Sequence, residues 1–272
     1  MSNTEHLDPS VSDFGISAGS PAARTEHHIP TTADPRTRLA AVVRRVIAST
    51  VAAQVDDDEI SSAAEVIEQV ATSLESHAFP GRRARPEPDP RGDPQDFFPT
   101  SPVIGLANPI SPPVHITLTG GEVIGTAEFG YPYEGPPTCV HGGVLALVFD
   151  ELLGAANIAS GHAGMTGTLK IRYRRPTPLL TKLRLAARFV RKDGRKIHSW
   201  GGIYHGDVLT AEAEGVFIEV VPERFLAMTA EHASATSMAD VAAEADRIGL
   251  TRSSGSSKAS DESEPGESRP MS

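Results

Sequence analysis

Cysteine, aromatic side chains and excess positive charge are all scarce in this chain. Its 272 residues include one cysteine, Cys139, which excludes an intrachain disulfide and suits a reducing compartment. Aromatic residues make up only 5%, and acidic residues outnumber Lys and Arg by 35 to 25, giving a formal net charge of −10. That balance argues against a nucleic-acid partner, because nucleic acid calls for a basic footprint. No uninterrupted apolar run approaches the roughly 18 residues of a membrane span. The first residues are polar and acidic, unlike a secretory signal. A cytoplasmic location without a membrane span is therefore expected. No metal is expected either, since His27-His28 sit in a polar tail without a closed set of ligands.

What apolar content there is lies in the middle. Residues 1–35 and 223–272 are rich in Ser, Thr, Ala, Gly, Pro and charge. They cannot offset the entropy of ordering and are expected to be mostly disordered. Over 36–78, Leu39, Val42, Val43, Val46, Ile47 and Val51 recur at helical spacing, with Arg36, Arg38, Arg44 and Arg45 elsewhere on the wheel as an expected solvated face. Asp56-Asp57-Asp58 offers an N-cap for a second helix whose stripe is Ile60, Ala63, Ile67, Val70 or Ala71, and Leu74. A helical hairpin is expected here, laying its apolar faces on something. Residues 79–100 are Pro-rich and read as a linker.

From 101 to 222 the pattern is mainly that of strands. His115 to Thr119 and Val123 to Phe129 flank Gly120-Gly121 as a hairpin. Thr168 to Arg174 alternates polar and apolar residues, as a half-buried strand does. Leu183 to Val190, Ile197 to Tyr204 and Val208 to Val220 supply three more, with turns at Asp193-Gly194 and Gly206-Asp207. The order is strand, strand, helix, then four strands. This is an antiparallel α+β layout in which a sheet curls around one long helix.

That helix follows Thr138-Cys139-Val140-His141-Gly142-Gly143 and carries Asp150-Glu151 two turns in. It is apolar on nearly every side, which predicts enclosure by the rest of the domain. A carboxylate held there is costly unless paired or used in chemistry. Two glycines at the helix start leave backbone N–H groups open at the positive end of the helix dipole. Donors for a developing negative charge and a desolvated acid, Asp150, thus share one segment. That combination points to catalysis.

His141-Gly142-Gly143 with Asp150-Glu151, followed by Leu169-Lys170-Ile171-Arg172-Tyr173-Arg174-Arg175-Pro176, resembles the hotdog-fold acyl-CoA thioesterases. The most similar branch is the PaaI-like thioesterases together with those of the Them4 and Them5 kind. Asn108-Pro109, Tyr133-Glu134-Gly135-Pro136-Pro137 and Ala211-Glu212-Ala213-Glu214-Gly215 support the match, which covers about residues 101–221. The resemblance implies that Asp150 activates water or attacks the thioester carbonyl itself. It implies Gly142 as oxyanion donor, with Gly143 allowing close entry to the helix. His141 is implied to position substrate or brace the turn. Thr166 matches a threonine that stands near the nucleophile, in family members from the facing subunit. Arg174, Arg175, Arg195 and Lys196 are candidates for the phosphates of coenzyme A, which enters as part of the substrate and not as a cofactor. The family forms homodimers, often paired into tetramers, with sites between subunits. A hotdog dehydratase is disfavoured because Asn108-Pro109 lacks the reactive Asp and His of that pattern. A non-catalytic acyl-CoA sensor on the same fold stays open as the alternative.

Overall fold

The computed structural model describes residues 34–76, 94–119 and 121–220. The tails read as disordered, His27-His28, Gly120 and most of the Pro-rich linker lie outside the described residues.

Helix α1 (Pro35–Ala52) begins where the Asp34 carboxylate accepts the Thr37 N–H, with proline at the first helical position. Helix α2 (Asp57–Glu75) begins in the same way, Asp56 accepting the Glu59 N–H at 2.9 Å, with three acids in its first turn facing the helix dipole. The two differ in what they cover. Helix α1 buries Ala40 and Ala41, whereas α2 buries nothing and leaves Ile60, Ile67, Val70 and Leu74 exposed. Neither helix lays down its expected stripe: α1 is seated through Ala40 and Ala41, while Leu39, Val42, Ile47 and Val51 stay exposed.

Arg44 corrects the expectation of a solvated arginine face. Its guanidinium donates to the carbonyls of Asn108 at 2.7 Å and Leu106 at 3.1 Å, and to the Ser111 hydroxyl at 3.3 Å. Burial pulls its pKa below the ordinary guanidinium value, opposed by Tyr133 nearby. The turn around Asn108-Pro109 is where α1 is fastened.

After the short helix α3 (Pro94–Phe97) come β1 (Val114–Thr119) and β2 (Glu122–Ala127), then a 3₁₀ turn at Tyr131–Tyr133. Helix α4 (Gly142–Ala159) follows, and β3 (Gly164–Tyr173), β4 (Leu183–Asp193), β5 (Lys196–His205) and β6 (Val208–Glu219) complete the regular structure of the described residues. One antiparallel sheet runs β1-β2-β4-β5-β6-β3, so β3 and β1 are its edges. Hairpins pairing Asp193 with Lys196 and His205 with Val208 turn on Gly194 and Gly206, both at positive φ.

Helix α4 lies on the inner face of this sheet. Leu145, Val148, Phe149, Leu152, Leu153 and Ala156 are buried against Leu183, Leu185, Ile203 and Phe217, among others. Gly215 makes the approach possible, because a Cβ there would stand 2.9 Å from a Leu153 methyl and 2.6 Å from the Phe217 ring. The wrapping is one-sided. Leu147 and Ile158 remain 43% and 42% exposed on the far side of α4. The sequence shows no apolar run of membrane-span length because Asp150-Glu151 interrupts it. By mean hydropathy, 1.5 over its 18 residues, α4 does reach that range, and its apolar stripe is taken up by the sheet.

Arg44→Ala should loosen α1 and lower stability by about 1.5–3 kcal/mol, the usual range for hydrogen bonds from a charged group. Chemical denaturation measures the loss, and limited proteolysis of α1 checks where it arises.

Candidate active site

The start of α4 is built by the preceding turn. Val140 N–H donates to Thr177 O, and His141 N–H donates to Tyr133 O at 2.9 Å. Thr138 is held at φ 67, a strained value for a β-branched residue, with its N–H on a Glu134 carboxylate oxygen at 2.7 Å and its carbonyl accepting from Leu179. These bonds aim His141 at the helix end, where it is the N-cap. Its Nδ1 accepts the Gly143 N–H at 3.0 Å.

That cap corrects the expectation of two open glycine donors. The Gly143 N–H is taken by His141, and Val144 and Leu145 N–H both go to the His141 carbonyl. The Gly142 N–H has no acceptor among the described residues. One donor is left at the positive end of an 18-residue helix, which is the arrangement an oxyanion requires. His141 braces the turn, and Gly143 supplies the braced amide.

Tyr173 completes this corner. Its hydroxyl donates to Gly142 O at 2.9 Å, and its ring would stand 3.3 Å from any Cβ on Gly142. A side chain on Gly142 would therefore crowd the tyrosine above it, which would have to shift by a few tenths of an ångström. Tyr173 carries a positioning role that the resemblance did not bring out. The available signal was its place in the β3 alternation with Leu169 and Ile171, which face the core.

Thr166 is brought to Asp150. Its hydroxyl donates to Asp150 Oδ1 at 2.6 Å, within one subunit and not across an interface. A bulge between Thr166 and Thr168 makes this possible. The extra residue, Gly167, returns Thr166 to the face that its register partner Phe217 shares with the core.

Asp150 is not buried in the single chain, against the expectation of an enclosed acid; it lies on the open side of α4 beside the β3 edge and is exposed. The desolvated acid is its neighbour. Glu151 points to the opposite flank, accepts from the Ser101 hydroxyl at 3.1 Å, and has its pKa raised mainly by burial and secondarily by the Asp150 charge, with Ser101 opposing.

The four candidate phosphate cations do not form one cluster. Arg174 pairs at 2.7 Å with Glu212, which is 3% exposed and also holds Arg172. Arg175 follows it, while Arg195 donates to Glu219 O and Lys196 opens β5. Tyr173 and Lys196 pair with Ala211 and Ile218, seven positions apart along β6 (218 − 211), or roughly 23 Å at the rise of an extended strand. Cys139 is a free, half-buried thiol in the turn before His141. Among the described residues no group of three His, Cys, Asp or Glu is placed to hold a metal.

No protein-family model matches the chain. Curated relatives include acyl-coenzyme A thioesterase THEM4 of Bos taurus, 35% identical over 98 residues that make up 35% of this chain and 40% of that protein. The THEM4 of Xenopus laevis is 33% identical over 94 residues, 34% of this chain and 42% of the other. The chain thus spans about two fifths of the length of the curated relatives it matches. Among solved structures, the crystal structure of a thioesterase superfamily protein superposes with a TM-score of 0.60 at 35% identity, over 68% of this chain and 95% of that one.

Glu151 gives the corner a pH signature. In the unfolded chain it loses its proton at the ordinary glutamate value; in the folded chain burial holds the proton to higher pH. Between those values the folded state binds more protons, so stability falls as pH rises through the window and stays lower above it. Glu151→Gln should flatten that part of the stability profile and exceed wild type at neutral pH. Denaturation across the acidic range tests this, and parallel profiles would contradict it.

Proposed function

This chain belongs to the thioesterase superfamily, and from that premise we propose that it hydrolyses the thioester of an acyl-CoA to a free acid and coenzyme A, with Asp150 as the base. The observation that carries this reading is the uncommitted Gly142 N–H at the head of α4, followed on the same helix by a carboxylate oriented at 2.6 Å by Thr166.

The chemistry runs through those groups. Thr166 occupies Oδ1 of Asp150 and leaves Oδ2 to take a proton from water. The water oxygen bonds to the thioester carbon, whose carbonyl oxygen gains charge and is met by Gly142 N–H. Such a donor is worth roughly 3 kcal/mol in the transition state. Collapse of the tetrahedral centre breaks the carbon–sulfur bond, the departing thiolate of coenzyme A takes the proton held by Asp150, and the free acid and the Asp150 carboxylate remain. Asp150 acting directly as nucleophile is the other route on the same residues.

A homodimer fits this reading, alone or paired into a tetramer. Asp150 is exposed beside β3, an edge strand of the sheet among the described residues, and the apolar residues Leu147, Ile158 and Met165. A second copy covering that face would desolvate the carboxylate and raise its basicity. Antiparallel pairing of two β3 edges would also bring Arg174 and Arg175 of one copy toward the sheet end where Arg195 and Lys196 of the other lie. The phosphates of coenzyme A find guanidinium and ammonium groups together there.

Thiol release from a panel of acyl-CoAs tests the function. Asp150→Asn should lower kcat by about 10²–10⁴-fold, as loss of a general base does, and Thr166→Val should lower it less. Coenzyme A binding without hydrolysis of any acyl-CoA would favour the sensor instead.

A further inference from the structure

A cavity of about 580 Å³ lies between α1 and the domain, away from Asp150 and Thr166. That volume is in the range of small-molecule sites. Its apolar walls include Ala41, Ile47 and Ala48 from α1, and Ile104, Leu106 and Ile110 from the turn that Arg44 fastens.

The polar groups on this lining are unevenly matched. Tyr133 stacks edge-on against Phe129 at 5.6 Å, and its hydroxyl has no hydrogen-bond partner among the described residues. Burial raises its pKa, so the hydroxyl stays protonated and able to donate. Arg44 directs Nη1 and Nη2 to three neutral oxygens, and among the described residues its Nε–H has no acceptor and its charge no ion-pair partner. Lys182, exposed at the rim, has no ion-pair partner among the described residues. Against these donors stands one carboxylate on the lining, that of exposed Glu128. A largely apolar groove, open to solvent at Ala48, Ile110 and Lys182, with these donors and two cations for one anion suits a ligand with an aliphatic body and an anionic, acceptor-only head.

We propose that this cavity binds an aliphatic carboxylate, its chain along Ala41, Ile47, Ile104 and Leu106 and its head on Tyr133, Arg44 and Lys182. The reaction proposed above releases an acid of this class. The assignment stands on the lining alone and does not need that reaction. The site lies close to the catalytic turn, because Tyr133 also holds the His141 N–H through its carbonyl.

Calorimetric titration of the full chain with decanoate, and with decanol as its uncharged counterpart, tests the proposal. Decanoate should bind saturably and at least tenfold tighter than decanol. Ala48→Trp, from an exposed position on α1, should fill the cavity and weaken decanoate at least tenfold. The double variant Tyr133→Phe, Lys182→Gln should bring decanoate toward decanol, with melting temperatures confirming that each variant is folded. No saturable decanoate binding, equal binding of decanol, or unchanged affinity in Ala48→Trp would each overturn it. If this binding pattern appears while acyl-CoA hydrolysis does not, the cavity assignment holds and the catalytic reading fails.

Discussion

The constraint on which the rest depends is that the sheet wraps α4 on one side only. Six large or small apolar residues of α4 go inward, and Gly215 and its neighbours on β5 and β6 let the helix close onto the strands. Fixing that face fixes the other. Leu147 and Ile158 stay out, Asp150 comes to lie beside the β3 edge, and Glu151 turns toward Ser101. The head of the helix is set by the same packing, since Tyr173 at the end of β3 reaches Gly142 only when α4 is seated.

His141 decides what the helix head can do. Open helix ends expose several donors, and an end with several donors binds water or any anion. Here the imidazole closes the Gly143 amide, the His141 carbonyl takes the next two, and one amide is left pointing outward. The strained Thr138 and the Glu134 carboxylate that caps it hold the approach to that residue. Preorganisation of this kind is the condition under which a single amide stabilises a developing oxyanion appreciably.

Much of the architecture was legible in the residue pattern. Strand alternation, glycine turns and the apolar helix together announced an antiparallel sheet around one helix, and the ordered motifs from His141 to Pro176 pointed to the thioesterase fold. The burial of the two acids was not legible, for a geometric reason. At about 100° per residue, Asp150 and Glu151 stand on opposite flanks of the buried stripe, each roughly 130° from its centre. Periodicity cannot say which flank the rest of the chain covers. The Ser101 turn covers Glu151, and the open β3 edge leaves Asp150 exposed. Thr166 was found through resemblance, and its orientation depends on a bulge that simple alternation does not reveal. Arg44 looked like one of four solvated arginines because its acceptors, the carbonyls of Leu106 and Asn108, lie more than sixty residues away.

A crystal structure with a ketone analogue of an acyl-CoA, in which a methylene replaces the thioester sulfur, examines the centre of this account directly. The ketone oxygen should lie about 3 Å from Gly142 N, the ordinary length of such a bond, with the Asp150 carboxylate facing the carbonyl carbon across one water and a second copy closing over both. A ketone oxygen bound elsewhere, with the Gly142 amide still open and Asp150 still in solvent, would contradict it.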